Sequence, residues 1–199
     1  FPIYCLGCSV EQRSYFCEPC QNKLLLNPAQ QCIVCHLPSI QGLTHPKCIT
    51  RFKPEGLLSI FDYSDKVISE AIILGKYKFV PDIYQELSEI AATYISLNYQ
   101  NIFKEADYIC FVPLNSGRQR WRGFNQAEII GKVFSEIFHL PIIKALVRNR
   151  NTKTQKDLGK DQRQNNIKNA FSFNNVDIKN KNLILVDDVM TTGATLLEA

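Results

Sequence analysis

Seven of the chain's eight cysteines lie within its first 48 residues, and together with one histidine they fall into four pairs, each pair separated by two residues. The order is C-x2-C-x8-C-x2-C-x11-C-x2-C-x9-H-x2-C, carried by Cys5, Cys8, Cys17, Cys20, Cys32, Cys35, His45 and Cys48. Two ligands three positions apart can sit on one tight knuckle and face one ion, and two knuckles complete a tetrahedron. Eight ligands therefore predict two closed four-ligand sites, which is the pattern of structural zinc, with no open position for catalysis. Gly7, Pro19, Asn27, Pro28, Pro38, Gly42 and Pro46 are interleaved with them and suit turns better than a packed core. Two zinc ions would supply folding energy that so short a segment cannot obtain from burial. A disulfide cluster is the competing reading. It needs an oxidising compartment, to which nothing in the chain points. The first pair is expected to join the second and the third the fourth, with interleaved ligation left open. If His45 is not a ligand, water or His36 completes the second site.

With 199 residues and 45% hydrophobic content, the chain can build one α/β domain and a small appendage. Its apolar runs, such as "AIIL" and "LILV", fall far short of the roughly 20 residues needed to span a bilayer. The opening "FPIYCLGC" lacks the charged head and apolar centre of a secretory signal. The expectation is a soluble, cytoplasmic protein without membrane insertion. Cys110, alone in "YICFVP", reads as a small hydrophobe in a strand.

After "KPEG" the pattern changes. The stretch "SDKVISEAIILGKYKF" opens with Ser64 as candidate N-cap and carries Val67, Ile68, Ala71 and Ile72 on one helical face. A second helix repeats Ile83, Leu87, Ile90, Ala91, Tyr94 and Ile95. "ADYICFVP" reads as a strand, and a third helix starts near Asn125 with Ile129, Ile130, Val133, Phe134, Ile137 and Phe138 in register. "LPIIKALV" and "NLILVDD" read as further strands. Strands alternating with helices predict a parallel sheet with helices on both faces, and ligands in that architecture gather at the carboxyl ends of strands. The expected division is a zinc-binding domain over 1–52 and an α/β domain over 53–199. Three loops draw attention: "NSGRQRWRGFNQ", the stretch after "NLILV", and a basic window. That window, Lys144 to Lys168, carries +6 while the rest of the chain carries −2. Such a run is either a solvated loop or a contact for polyanions, phosphate being the obvious group.

In "NLILVDDVMTTGATLLEA" a strand ends in two carboxylates, then a tight hydroxyl-rich loop leads into a helix. Thr191, Thr192, Gly193, Ala194 and Thr195 supply hydroxyl donors, a glycine that permits close backbone approach, and a helix start that favours an anion. The order is not that of a Walker loop. Asp187 and Asp188 cannot hold phosphate; they suit groups that donate hydrogen bonds, such as vicinal ribose hydroxyls, or a magnesium shell reached through water. Carboxylates for hydroxyls beside a cradle for phosphate describe a ribose 5-phosphate site. A strand stop and helix cap would account for the threonines and for one of the aspartates.

This stretch resembles the phosphoribosyl pyrophosphate (PRPP) signature of type I phosphoribosyltransferases. The resemblance implies that Asp187 and Asp188 hold the ribose hydroxyls, and that Thr191 to Thr195 hold the 5-phosphate. Three further blocks make the chain similar to the ComF/GntX family: "VPLNSGRQRWRGFNQAE", "RNRNTKTQKDLGKDQRQNNIKNAF" and the cysteine pairs, which look like a double zinc ribbon. The resemblance covers nearly the whole chain. It departs at His45, where the family has cysteine, and at Ala199. The family continues past this point through a helix and a further strand, so the second domain is expected to be incomplete at its C-terminal end. The implied fold is a type I phosphoribosyltransferase-like α/β domain behind a zinc-ribbon domain.

The resemblance further implies a pyrophosphate loop at Ser116, Gly117 and Arg118, with Arg122 offering bidentate geometry beside it. Asn125 and Gln126 form a polar handle for a second substrate, or a helix cap and first-turn residue. Natural transformation is the implied setting, hence contact with single-stranded DNA. Arg120, Trp121, Lys153, Lys156, Lys160 and Arg163 are the candidate nucleic-acid residues, by stacking and phosphate contact; for Trp121 the alternative is plain packing. Three functions follow as expectations. One is a PRPP-binding protein that handles incoming DNA. Another is a phosphoribosyltransferase using magnesium with PRPP and an unknown acceptor, for which no general base can be named. The last is a zinc-ribbon adaptor for a competence helicase or other DNA-uptake protein.

Overall fold

The computed structural model describes residues 2–26, 29–50, 54–149 and 167–199. The chain divides into two compact units, Phe1–Asn98 and Tyr99–Ala199. In the first, the metal-ligand segment contains the antiparallel strands β1 (Ile3–Tyr4) and β2 (Glu11–Gln12) and the short helix α1 (Glu18–Gln21). Helices α2 (Lys66–Tyr77) and α3 (Asp82–Asn98) belong to the same unit.

Asp65, not the expected Ser64, caps α2: its carboxylate accepts the amide protons of Val67 (2.8 Å) and Ile68 (3.4 Å). Ser64 sits one position too early. Its own amide is bonded to Asp62. The predicted apolar faces are the buried ones: Ile68, Ala71 and Ile72 on α2, and Ile83, Leu87, Ala91 and Ile95 on α3. The helices approach closely at Gly75, where an added Cβ would lie 2.5 Å from the ring of Tyr84. The Tyr84 hydroxyl in turn donates to the Ile72 carbonyl at 3.2 Å. Glu86 of α3 accepts the backbone amides of Tyr15 (2.8 and 3.0 Å) and Phe16 (3.2 Å), so a helix carboxylate braces the loop that leads to Cys17.

The second unit runs α4 (Gln100–Lys104), β3 (Tyr108–Phe111), α5 (Ser116–Arg122), α6 (Gln126–Phe138), β4 (Ile142–Ile143), β5 (Leu146–Arg148), β6 (Phe171–Phe173), β7 (Leu183–Val186) and α7 (Ala194–Glu198). A parallel sheet has the order β4-β3-β7, with Phe111 opposite Val186. Its central strand reads as an unbroken apolar run because both faces are covered. Ile109 and Phe111 lie beneath Gly131 of α6, and Cys110, pointing the other way, is buried as well. Phe103 stacks on Phe138, ring centroids 3.9 Å apart, and meets Phe134 edge-on, while Ile137, expected on the inner face, is exposed. The fold is α/β, with a parallel sheet and an N-terminal cysteine cluster, as expected.

Two local readings differ from expectation. "LPIIKALV" is not one strand. Ile142–Ile143 joins the parallel sheet, whereas Leu146–Arg148 pairs antiparallel with β6 in a separate ribbon. The loop "NSGRQRWR" is a helix. Asn115 caps it, accepting from the Gly117 amide at 2.8 Å, and Gly123, in the left-handed conformation at φ 82°, ends it. Among the described residues, no helix is long and apolar enough to cross a membrane.

Candidate functional site

The cysteine pairs form two groups, Cys5, Cys8, Cys17 and Cys20, and Cys32, Cys35, His45 and Cys48, with the ligand atoms of each within 4.8 Å of one another. Consecutive pairs thus join. Cys5 and Cys8 lie 3.5 and 3.7 Å from Cys17 through their sulfurs, far beyond the ~2.05 Å of a disulfide and close to the ~3.8 Å edge of a tetrahedron with ~2.3 Å Zn–S bonds. In the second group, the Cys35 sulfur is 3.3 Å from His45 Nδ1. His45 Nε2 lies 3.1 Å from the Pro38 carbonyl; a proton donated there leaves the Nδ1 lone pair for a metal.

The two leading knuckles repeat one backbone pattern. Ser9 and His36 both adopt φ 60° and donate their amides to Cys5 O (2.8 Å) and Cys32 O (2.9 Å). The Cys5 and Cys32 amides return to Val10 O and Leu37 O. His36 therefore occupies a turn position, and His45 completes the group. Burial alone would push the Cys5 and Cys32 thiols up, but backbone amides outweigh it and bring both down to about 6. Their neighbours move the other way. Hydrogen bonding to Cys17 heads the causes that raise Cys20 to about 12, and burial, then hydrogen bonds to Cys35 and Cys32, raise Cys48 to about 11. Clustered thiols sharing a few protons, four in the first group and three beside His45 in the second, hold a dication well, since thiolate charge that is repulsive within the group becomes ligation. The residues fit a tetrahedral metal, and zinc in particular.

At the other candidate site, parallel pairing sets the geometry. The Val112 amide donates to Val186 O at 2.9 Å, so the chain leaves β3 and β7 side by side at their carboxyl ends. Asn125 ties α6 to the same end: its Nδ2 donates to Val112 O (3.0 Å) while its Oδ1 caps the helix by accepting from the Ala127 amide (3.2 Å). Both polar atoms of Asn125 thus have structural work. Gln126 is wholly buried, and its Nε2 has no hydrogen-bond partner; the same holds for Arg122 Nε.

Asp187 follows β7 and accepts the Asp188 amide at 2.8 Å. Asp187, Thr191, Thr192, Gly193, Ala194 and Thr195 line one shallow recess. Gly193 makes the turn at φ 69°, and Thr192 Oγ1 accepts the Ala194 amide at 3.4 Å. Ser116, Gly117 and Arg118 open α5 beside this end of the sheet. Arg120 and Trp121 are exposed on α5, Trp121 by 59%. Lys153, Lys156, Lys160 and Arg163 lie outside the described residues.

One residue of the basic window and of the second family block enters here. Arg148 ends β5 with its guanidinium 5.3 Å above the Phe171 ring. Burial and the like charge of Arg118 push it down from its usual range, and Asp187 pulls it back.

No family model matches the chain, and no solved structure does. Characterised relatives do. The DNA utilization protein YhgH of Escherichia coli (strain K12) is 30% identical over 84% of this chain and 74% of its own length. Competence protein F of Haemophilus influenzae is 27% identical over 98% of this chain and 81% of its own. The chain belongs to the ComF family. Competence protein ComFC of Bacillus subtilis, 27% identical over 90% of this chain and 74% of its own, is a further ComF relative. The Competence protein F alignment, at 98% of this chain, spans both units.

Proposed function

We propose that this ComF-family protein takes part in DNA uptake by binding PRPP, with magnesium, at the carboxyl end of its parallel sheet and by handling single-stranded DNA, while two structural zinc ions hold its N-terminal segment. One observation carries the reading: a carboxylate and a threonine-glycine loop line the same recess at the end of β7. Asp187 and Asp188 accept hydrogen bonds from ribose hydroxyls. Thr191, Thr192 and Thr195 donate to the 5-phosphate, and Gly193 lets backbone approach it. Arg118 and Arg122, with Ser116 and Gly117, meet the diphosphate, and Gln126 offers its buried amide to the group that follows. Magnesium supplies charge neutralisation for the diphosphate. The names of relatives, competence proteins and DNA utilization proteins, support the DNA side of the reading. So does the exposure of Trp121 and of Arg120 on α5, an aromatic face and a cation open to solvent.

Transfer is the second reading. The bond from the anomeric carbon to pyrophosphate would break, its electron pair leaving with pyrophosphate, and an acceptor nucleophile would bond to that carbon and give up a proton. The arginines would stabilise the departing charge. An adaptor role toward a helicase would instead use the metal modules.

The test is a melting shift of the full chain. PRPP with magnesium at a hundredfold excess over Kd should stabilise by about 2.7 kcal/mol, and Asp187→Ala/Asp188→Ala should abolish the shift. An unshifted wild type, or an unchanged shift in the variant, removes the PRPP reading. Pyrophosphate released only when an acceptor is added decides for transfer. Oligonucleotide binding that ignores salt counts against the charged-surface model.

A further inference from the structure

We infer that the end of helix α2, from Lys76 to Phe79 with Ile73 one turn before it, is a stacking surface for single-stranded nucleic acid. This puts a strand-binding site in the first unit, separate in the chain from Arg120 and Trp121, and it rests on the reading that the protein handles single-stranded DNA.

The buried side of α2 consists of Ile68, Ala71, Ile72 and Gly75, and it meets α3 through Tyr84. Its open side carries Lys66, Glu70, Ile73 and Tyr77, neighbours along one face at helical spacing. Ile73 is 44% exposed and Tyr77 42%, so an apolar step stands in water at the end of the helix. The chain then turns. The Lys78 amide donates to Leu74 O at 2.8 Å, and Phe79 follows at φ 60° with 43% of its surface exposed. Glycine takes that left-handed position freely, whereas a side chain there is strained. A large ring held in a strained turn and left open to solvent serves neither packing nor helix termination.

Charge decides what covers these rings. Between Ile73 and Pro81 the chain has two lysines, Lys76 and Lys78, and no acid. The next acid, Asp82, opens α3, where the helix dipole accounts for it. The lysines also suit the dipole at the end of α2, which explains the cations and leaves the rings unexplained. Lysines alternating with exposed rings match a strand that offers phosphates and unpaired bases in turn. Bases stack on Tyr77 and Phe79, phosphates meet the ammonium groups, and Ile73 extends the apolar step. An apolar protein groove would take the rings but gain little from the cations. A duplex hides its base faces, so the single strand is the form bound.

The experiment is fluorescence anisotropy of the zinc-loaded full chain with labelled oligo-dT, oligo-U and a DNA duplex, each about 16 nucleotides long, over a range of salt. Tyr77→Ala, Phe79→Gly, Lys76→Gln/Lys78→Gln and Trp121→Ala are compared with wild type. Tyr77→Ala and Phe79→Gly should each weaken single-strand binding roughly 5- to 100-fold, the scale of one stacked base, and leave duplex binding within about twofold. Phe79→Gly should also melt no lower than wild type, because it removes the left-handed strain. A lower melting temperature with unchanged affinity makes Phe79 a packing residue and overturns the proposal. The double lysine variant should flatten the slope of log affinity against log salt by about 1.4, for two phosphate contacts at about 0.7 each. It carries the comparison if an aromatic variant does not fold, and an unchanged slope then overturns the proposal. Either oligonucleotide supports the surface, and the tighter of the two names the strand it serves. Self-association in sedimentation that the aromatic variants abolish while affinity holds gives the surface to a second copy and overturns the proposal. Unchanged single-strand affinity in folded α2 variants, with Trp121→Ala weakened, overturns it and leaves the DNA-handling reading standing; wild type that binds no oligonucleotide removes both.

Discussion

Replacing Glu86 tests whether helix α3 braces the first metal group. Its carboxylate accepts two backbone amides, Tyr15 and Phe16, from the segment that ends at Cys17. Glu86→Ala leaves both donors without that acceptor. Phe16 is fully buried, so its amide cannot turn to water, while the half-buried Tyr15 amide is partly hydrated. A buried orphan donor costs about 1–3 kcal/mol, which places Glu86→Ala near 2 kcal/mol of destabilisation. With a urea slope of about 2 kcal/mol/M, the midpoint should fall by roughly 1 M. Glu86→Gln should behave differently. Burial raises the Glu86 carboxyl above its usual range against the lowering by the Tyr15 and Phe16 amides, and Glu89 and Asp82 raise it further. The folded state therefore binds a proton more tightly than the unfolded one. That contribution is fully present below the unfolded value of about 4.3 and is lost as pH rises through the raised folded value. A glutamine keeps the acceptor oxygen without the charge, so at neutral pH it should match or exceed wild type and should flatten this stretch of the pH profile. Urea unfolding of the zinc-loaded protein, followed by far-UV circular dichroism between pH 4 and 8, measures all three. An alanine variant as stable as wild type, or a glutamine variant as damaged as the alanine, refutes the argument.

Three more outcomes follow from the geometry. His45→Ala should reduce bound zinc from two ions per chain to one by elemental analysis, whereas His36→Gly should retain both and gain up to about 1 kcal/mol, because His36 pays the left-handed penalty that glycine avoids. Gly75→Ala should destabilise by about 1 kcal/mol on thermal melting, since overpacking against the buried Tyr84 ring exceeds the helix-propensity gain of alanine. Asp107 accepts the Asn182 amide and, second, the Lys181 ammonium, which hold its carboxyl below the usual range. Its stabilisation is present above the unfolded value of about 3.9 and is lost as pH falls through the folded value, so Asp107→Asn should reduce the acid sensitivity of melting.

What could be read from residue order alone was local and chemical. Ligand spacing in the cysteine segment defined the four pairs, because a knuckle needs only four consecutive residues, whereas which pairs share a group came from the fold. The run from Leu183 to Thr195 likewise carried strand, carboxylates and loop in one stretch, and the apolar faces of α2 and α3 followed from helical period. Position in space was not legible in the same way. Ser64 and Asp65 are both good caps, and only the helix's starting turn chose between them. "LPIIKALV" has one apolar pattern but two partners, β3 and β6, that lie far away in the chain. "NSGRQRWR" looks like a loop by composition, yet Asn115 and Gly123 cap it as a helix. Glu86 beneath Phe16, and Arg148 over the Phe171 ring, join residues dozens of positions apart or in separate strands. Such neighbours are made by strand pairing and by helix packing, which bring distant segments together. Sequence determined which chemistry the chain carries; the tertiary structure decided which of those groups act on one another.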